Sequence, residues 1–337
     1  MLDQQGRADS GRHLATIFNS SVVSWSIAAA WELGLMDELA EHGMLDAVDF
    51  AARHRLHYPS TRGMLIALSS SGIIRRRDDL VTTGPHFEEA NRTRSLFHWL
   101  TRGSSALFAA MPTVMREDNR VGDYYHRDPV AISLACREAN TVCFDPAFWA
   151  AMDNLDLEVA TVADLGCGSG GRLRQIADRY PTSRGVGVDI AAAALEVARK
   201  DTENAGLGGR ITFIEADATN LGVRPEFDDV ELVTSFMMGH DMWPREDCVK
   251  TLRGIREVFP RVRRMLLGDS TRTVGIPDED IPIFTLGFEL GHELMGAYIP
   301  TTQEWRDVFA EAGWTCRQEY PVPVLTDAVV FDLEPAS

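Results

Sequence analysis

The stretch Val162-Ala163-Asp164-Leu165-Gly166-Cys167-Gly168-Ser169-Gly170-Gly171 reads as a buried β-strand that runs into a glycine loop and opens a helix over Arg172–Tyr180. Glycines at Gly166, Gly168 and Gly170 let the backbone bend sharply and approach a ligand closely. Many nucleotide-binding folds use such a loop, and the acids around it narrow the choice. Asp164 stands just before the glycines. Asp189 ends Arg184-Gly185-Val186-Gly187-Val188-Asp189, about 20 residues beyond the loop, where a doubly wound fold hydrogen-bonds ribose hydroxyls. Asp217 ends Ile211-Thr212-Phe213-Ile214-Glu215-Ala216-Asp217. Pyrophosphate at a helix N-terminus favours a neutral or positive surround. An acid lodged beside the loop suits a ligand that carries an ammonium group instead.

This pattern resembles the S-adenosylmethionine-dependent methyltransferases of the Rossmann-like class I type. The resemblance implies that Asp164 and the loop at Gly166 and Gly168 take the methionine part. It implies further that Asp189 with Ile190 takes the ribose, that Asp217 with Ala218 takes the adenine, and that Phe236 lines the same site.

Composition bounds the reading. The chain has 337 residues, 45% of them hydrophobic and 25% charged, with a net charge of −17. That length predicts two domains with a large core. The acidic balance opposes a nucleic-acid partner, because phosphate binding needs a surplus of Lys and Arg. No run of 18 apolar residues is seen and Met1 to Arg12 is polar, so neither a membrane span nor a secretory signal is expected. Five cysteines without framework spacing fit reduced thiols. The expected location is cytoplasmic.

Along the chain, residues 1–94 read as a helical, winged-helix-like dimerisation domain. Apolar residues at helical spacing from Leu14 to Leu39, Trp25 and Trp31 among them, make a surface too broad for one small domain, which predicts a homodimer. Asp49–His54 and Thr61–Ser71 read as helices, and Ile73 to Val81 as a charged hairpin holding Arg75-Arg76-Arg77. Residues 95–155 read as a helical connector rich in aromatics that covers the active site. Residues 156–337 alternate strands and helices. The strands are Thr161–Leu165, Gly185–Asp189, Ile211–Glu215, Asp229–Ser235 and Arg264–Asp269, closed by an antiparallel pair over Cys316–Pro323 and Asp327–Asp332. An α/β fold with a mostly parallel seven-stranded sheet is what the resemblance implies.

After Ser235 the chain reads Phe236-Met237-Met238-Gly239-His240-Asp241-Met242-Trp243-Pro244-Arg245. A His-Asp pair at this strand end is similar to the catalytic segment of small-molecule O-methyltransferases, whose His-Asp-Trp signature supplies a base for a phenol. Here Met242 is inserted between Asp241 and Trp243. A second histidine, His292, follows the fifth strand of the sheet and its loop, and that loop also lies at the carboxyl edge. Two imidazoles and a carboxylate form a common site for Fe(II) or Zn(II), but spacing alone does not bring His240, Asp241 and His292 together.

A narrower resemblance rests on Met237-Met238-Gly239-His240-Asp241, Trp243-Pro244-Arg245, Gly268-Asp269, Arg272-Thr273-Val274-Gly275-Ile276-Pro277 and Phe284-Thr285-Leu286-Gly287-Phe288-Glu289. It extends to Ser95-Leu96-Phe97-His98-Trp99-Leu100 and Asp145-Pro146-Ala147-Phe148-Trp149. These look like the bacterial 2-oxo acid (phenylpyruvate-type) C3-methyltransferases of peptide natural-product biosynthesis. The likeness implies a non-haem iron or zinc ion on His240 and His292, with Asp241 as ligand or beside it. It implies that Arg127 holds the carboxylate of an aromatic or branched-chain 2-oxo acid and that Trp99 walls its side chain. Catalysis would run through a metal-bound enolate, with His240, Asp241 and Arg127 as the catalytic residues. The base that takes the C3 proton, Asp241 or a metal-bound hydroxide, stays open. The alternative is a metal-independent O-methyltransferase with His240 as general base.

Overall fold

Gly34 breaks the first helical run. Its φ of 79° lies in the left-handed region, so the single segment expected up to Glu41 becomes two helices, Gln4–Glu32 and Leu35–His42. The computed structural model describes residues 4–322, 325 and 327–336. Met1 to Asp3 of the polar N-terminus, and Pro323 at the end of an expected strand, lie outside the described residues. The chain divides into two compact units, Met1–Ala139 and Asn140–Ser337. The segment expected as a connector, 95–155, is therefore shared between them rather than standing alone.

In the first unit, strand β1 (Met44–Asp46) follows the helix pair. Asp46 then caps the helix Ala47–Arg53, accepting from the N–H groups of Val48 and Asp49 at 2.9 Å each. The helix Tyr58–Ser70 leads to β2 (Ile74–Arg77) and β3 (Leu80–Thr83). The two helices and hairpin expected from the sequence are present. β1 adds a third antiparallel strand, in the order β1-β3-β2. Leu35, Met36, Leu39, Phe50, Leu65, Leu68, Ile74 and Val81 fill the core beneath. Burying each such side chain contributes about 1.5–3 kcal/mol. The first helix keeps a different face in solvent: Leu14, Ile17, Phe18, Val22 and Trp25 are all exposed, Phe18 by 71%. Its span Asp9–Glu32 is long and apolar enough, by length and composition alone, to cross a membrane, a test that helices of soluble proteins also pass.

The second unit is built on β4 (Thr161–Leu165), β5 (Arg184–Asp189), β6 (Ile211–Glu215), β7 (Leu232–Phe236), β8 (Arg264–Ser270), β9 (Trp314–Pro321) and β10 (Ala328–Pro335). The seven strands form one sheet in the order β6-β5-β4-β7-β8-β10-β9. β4 through β8 pair in parallel, and β10 pairs antiparallel with both β8 and β9. The fold is thus the Rossmann-like α/β arrangement expected. β7 starts at Leu232 rather than Asp229, and the ends of the closing pair differ from the expected ones by one to three residues. Helices cover the sheet, so β7 and β8 are buried along their whole length, polar residues included. Trp305, Phe309 and Phe331 pack with Leu252 and Val233 in its core. The chain adds β5 and β6 on one side of β4, then returns to place β7 on the other. The gap between β4 and β7 is therefore the switch point, beyond whose carboxyl ends such sheets bind ligands.

Candidate active site

Adjacent strands β4, β5 and β6 bring the glycine loop, Asp189 and Asp217 to one sheet edge. Gly166 has a φ of 72°, and a Cβ there would come 2.9 Å from Cγ of Met238; the loop can be this tight only with glycine. Half-buried Asp189 accepts from the N–H groups of Gly168 and Ala191, both at 2.8 Å. The acid expected at the ribose thus also fixes the loop. Ile190 beside it is 72% exposed. Asp217 is exposed, and its Oδ1 accepts from the N–H and the hydroxyl of Thr219 at 2.8 and 2.7 Å. Ala218 packs half-buried against the core. Asp164 sits inside β4 and is buried, with Thr234 Oγ1 donating to its Oδ1 at 2.7 Å. Burial raises its pKa to about 6, against the hydrogen bond from Thr234 and the charge of Arg172.

His240 lies in the turn Gly239–Met242 just after β7. Its Nδ1 donates to Oδ1 of Asp269 at 2.8 Å, and its backbone N–H donates to Oδ2 at 2.6 Å. Asp269 is wholly buried near the end of β8. A Cβ on Gly239 would come 2.7 Å from Oδ2 of Asp269, so glycine is what admits the carboxylate to this turn. His292 comes from the helix Thr285–Met295, and its Nδ1 donates to the Phe288 carbonyl at 2.7 Å. The two imidazole centroids are 4.9 Å apart with planes at 89°. A carboxylate and a carbonyl only accept, so each ring carries a hydrogen on Nδ1, which in a neutral imidazole leaves the lone pair to Nε2. Met237 and Phe284, with φ of 55° and 77°, are non-glycine residues in the left-handed region that lead into the two histidine segments; such strain clusters at functional sites.

Asp241 stands beside His240 and is turned largely to solvent. Its side chain is 62% exposed, and Oδ1 lies 3.9 Å from Nε2 of His240, beyond hydrogen-bond reach. Among the described residues no group of three or more His, Cys, Asp or Glu side chains is arranged to hold a metal ion. The histidine pair, each Nδ1 tied to an oxygen acceptor, fits the second shell that metal-ligating imidazoles show; Asp241 as placed does not complete the set.

Arg127 and Trp99 belong to the first unit. Trp99 is 4% exposed and opens a π-helical turn, Trp99–Gly103. The N–H of Asp128 donates to the Gly103 carbonyl at 2.8 Å, which ties the Arg127 loop to that turn. Arg127 is half-buried, and among the described residues its guanidinium has no ion-pair partner.

Two features of the second unit were given no role by the sequence. Asp269 carries the same signal as Asp189, an acid at the end of a buried strand, and contacts His240 directly. Phe236 packs edge-on to Phe144 and Phe148, with ring centroids at 5.9 and 5.5 Å. Arg172 lies against this cluster. Aromatic packing from distant segments leaves no local spacing to read.

Residues 162–260 match the family described as "Methyltransferase domain". The chain is 47% identical over 337 residues to methyltransferase ungE' of Aspergillus campestris, with 98% of each chain covered. It is 31% identical over 318 residues to the indolepyruvate C-methyltransferase of Streptomyces griseus, with 92% of each covered. Among solved structures, that of human N-acetylserotonin methyltransferase in complex with SAM is similar in fold, with a TM-score of 0.72 at 19% identity over 100% of this chain and 99% of that one.

Proposed function

Because the chain belongs to the S-adenosylmethionine-dependent methyltransferases of the Rossmann-like type, we propose that it transfers the methyl group to C3 of an aromatic or branched-chain 2-oxo acid, giving the precursor of a β-methylated amino acid. The observation that carries this reading is the His240–His292 pair, two imidazoles 4.9 Å apart with both Nδ1 atoms tied to oxygen. The likeness to an indolepyruvate C-methyltransferase supports it, since indolepyruvate is itself a 2-oxo acid.

S-Adenosylmethionine supplies, when bound, an electrophilic methyl group on sulfur. Nε2 of His240 and Nε2 of His292 would hold an iron or zinc ion, whose positive charge would make the C3 proton of a 2-oxo acid more acidic. The protein's own groups do the rest. Asp189 and Asp217 hold ribose and adenine beside the glycine loop. Asp269 holds the His240 ring in one plane and one tautomer. The resemblance to the 2-oxo acid C3-methyltransferases assigns the substrate carboxylate to Arg127, as a fork, and the substrate side chain to Trp99. Asp241, mostly exposed, takes the C3 proton. The exposed stripe Leu14, Phe18 and Trp25 seats a second copy of the chain.

The Asp269–His240 pair also favours a second reading, an O-methyltransferase in which His240 Nε2 deprotonates a phenol. Incubation with S-adenosylmethionine and either phenylpyruvate, indolepyruvate, 4-methyl-2-oxopentanoate or a catechol separates the two. The proposal expects a new C3 methyl group by NMR. Methylation at phenolic oxygen alone would overturn it.

A further inference from the structure

Arg172 is the second residue of the helix Gly171–Arg179, which starts at the end of the glycine loop. It is only 8% exposed. Its guanidinium lies between two rings, 4.2 Å from the centroid of Phe148 and 4.0 Å from that of Phe236. Stacked this way, it has a fixed plane. Nη1 donates to Oδ1 of Asp145 at 2.6 Å, while Gln175 occupies Oδ2 of the same carboxylate at 2.7 Å. Among the described residues Asp145 is the sole hydrogen-bond acceptor of this guanidinium. A guanidinium has five N–H donors, and Nε and Nη2 of Arg172 are not among the sealed polar atoms. Those N–H groups are open to a partner from outside the chain, while the stacked face and Nη1 are held by the protein.

Its position says what that partner is. β4 and β7 flank the switch point, and Arg172 stands at the N-terminal end of the helix after β4, against the ring of Phe236 at the end of β7. The buried carboxyl of Asp164 is close enough for its charge to act on Arg172. A cation and an anion held side by side at this edge match a zwitterion. We propose that Arg172 receives the carboxylate of the methionine part of S-adenosylmethionine, while Asp164 faces its ammonium group. Asp145 and the two phenylalanine rings are then the positioning set for Arg172. Helix N-terminal N–H groups add to the pull on the carboxylate. The inference rests on the methyl donor alone and not on the choice of acceptor.

The test compares two ligands by calorimetry with no acceptor present: S-adenosylhomocysteine and its decarboxylated analogue, which keeps the adenosine, thioether and amine. The wild-type protein should prefer S-adenosylhomocysteine by about tenfold or more, the worth of a charge-assisted pair. Arg172→Met keeps the stacked volume, and should shrink that preference to within about threefold while the analogue binds as before. Arg172→Lys, which keeps a point charge without the fork, should fall between. A merely structural arginine would weaken both ligands by the same factor, and that result would overturn the proposal. So would equal affinity of the wild-type protein for the two ligands, a result that needs no variant to fold.

Discussion

Nδ1 of His240 and the backbone N–H of the same residue both donate to the one carboxylate of Asp269, at 2.8 and 2.6 Å. A wholly buried acid thus fixes the position of the turn after β7 and the plane of its imidazole together. Asp269→Asn keeps the shape but turns an N–H₂ toward one of these two donors. The unpaired groups should cost about 1–3 kcal/mol of stability. The lost orientation should lower turnover about 10- to 100-fold, as for other residues behind a working histidine. Affinity for S-adenosylhomocysteine should hold. Thermal unfolding, turnover and calorimetry on the same preparation check all three, and unimpaired turnover would show that Asp269 only packs.

Asp189→Ala should weaken S-adenosylmethionine binding by roughly 2 to 4 kcal/mol, the loss of two charge-assisted hydrogen bonds less solvent compensation. The structure adds a reason for the upper end, since Asp189 also accepts from Gly168 and Ala191 within the ligand-binding loop. Unchanged affinity by calorimetry would mean that the strand-end acid does not hold the ribose.

Asp164 makes the ligand-free protein sensitive to pH. Burial lifts its pKa from 3.8 to about 6, so between those values the folded state binds more protons than the unfolded one. Stability from this group is full below pH 3.8 and is lost as pH climbs through 6, a change of roughly 3 kcal/mol for the gap. Asp164→Asn should remove this slope, so the stability of the variant relative to wild type should grow from pH 4 to pH 7. Affinity of the wild-type protein for S-adenosylhomocysteine should rise over the same range, as the carboxylate forms to meet the ammonium group. Urea unfolding at several pH values decides the first claim. A constant difference between the two proteins would refute it.

The strands that carry the cofactor residues were legible because each is a short apolar run punctuated by glycine or an acid, and buried parallel strands leave that mark. β1 was not, since three residues between Gly43 and a helix are too few to show a period. Gly34 was readable as a helix break, but the apolar spacing on both sides of it hid the interruption. In the site, strand ends placed Asp189 and Asp217 and the segment after β7 placed His240. The meeting of His240 and His292 depends on a long-range return of the chain that spacing does not contain. How far Asp241 turns to solvent was not readable, because a short turn after a strand sends neighbouring side chains in different directions.

The exposed stripe on the first helix should be covered in solution by a second copy of the chain. Leu14, Phe18 and Trp25 recur at helical spacing, and all are more than half exposed. Phe18→Glu places a charge in the middle of that stripe, where burial without a partner is costly. Light scattering should give a dimer for the wild-type protein at micromolar concentration and a shift toward monomer for the variant. A stable wild-type monomer would remove the claim.

His292→Ala separates the two mechanisms most sharply. If the two imidazoles hold a cation, losing one should strip most of it, and metal content by elemental analysis should fall together with C3 methylation of phenylpyruvate. Binding of S-adenosylhomocysteine should persist, since Asp164, Arg172, Asp189 and Asp217 stand on or just after β4, β5 and β6. The companion variant His292→Gln keeps much of the side-chain volume, which controls for the cavity that alanine leaves beside Phe288, whose ring centroid lies 4.0 Å from that of His292. If His240 is instead a lone general base set by Asp269, both variants should lose stability more than turnover, and chelators should leave the wild-type enzyme untouched. Full turnover by His292→Gln without bound metal would sink the C3 mechanism and favour transfer to oxygen.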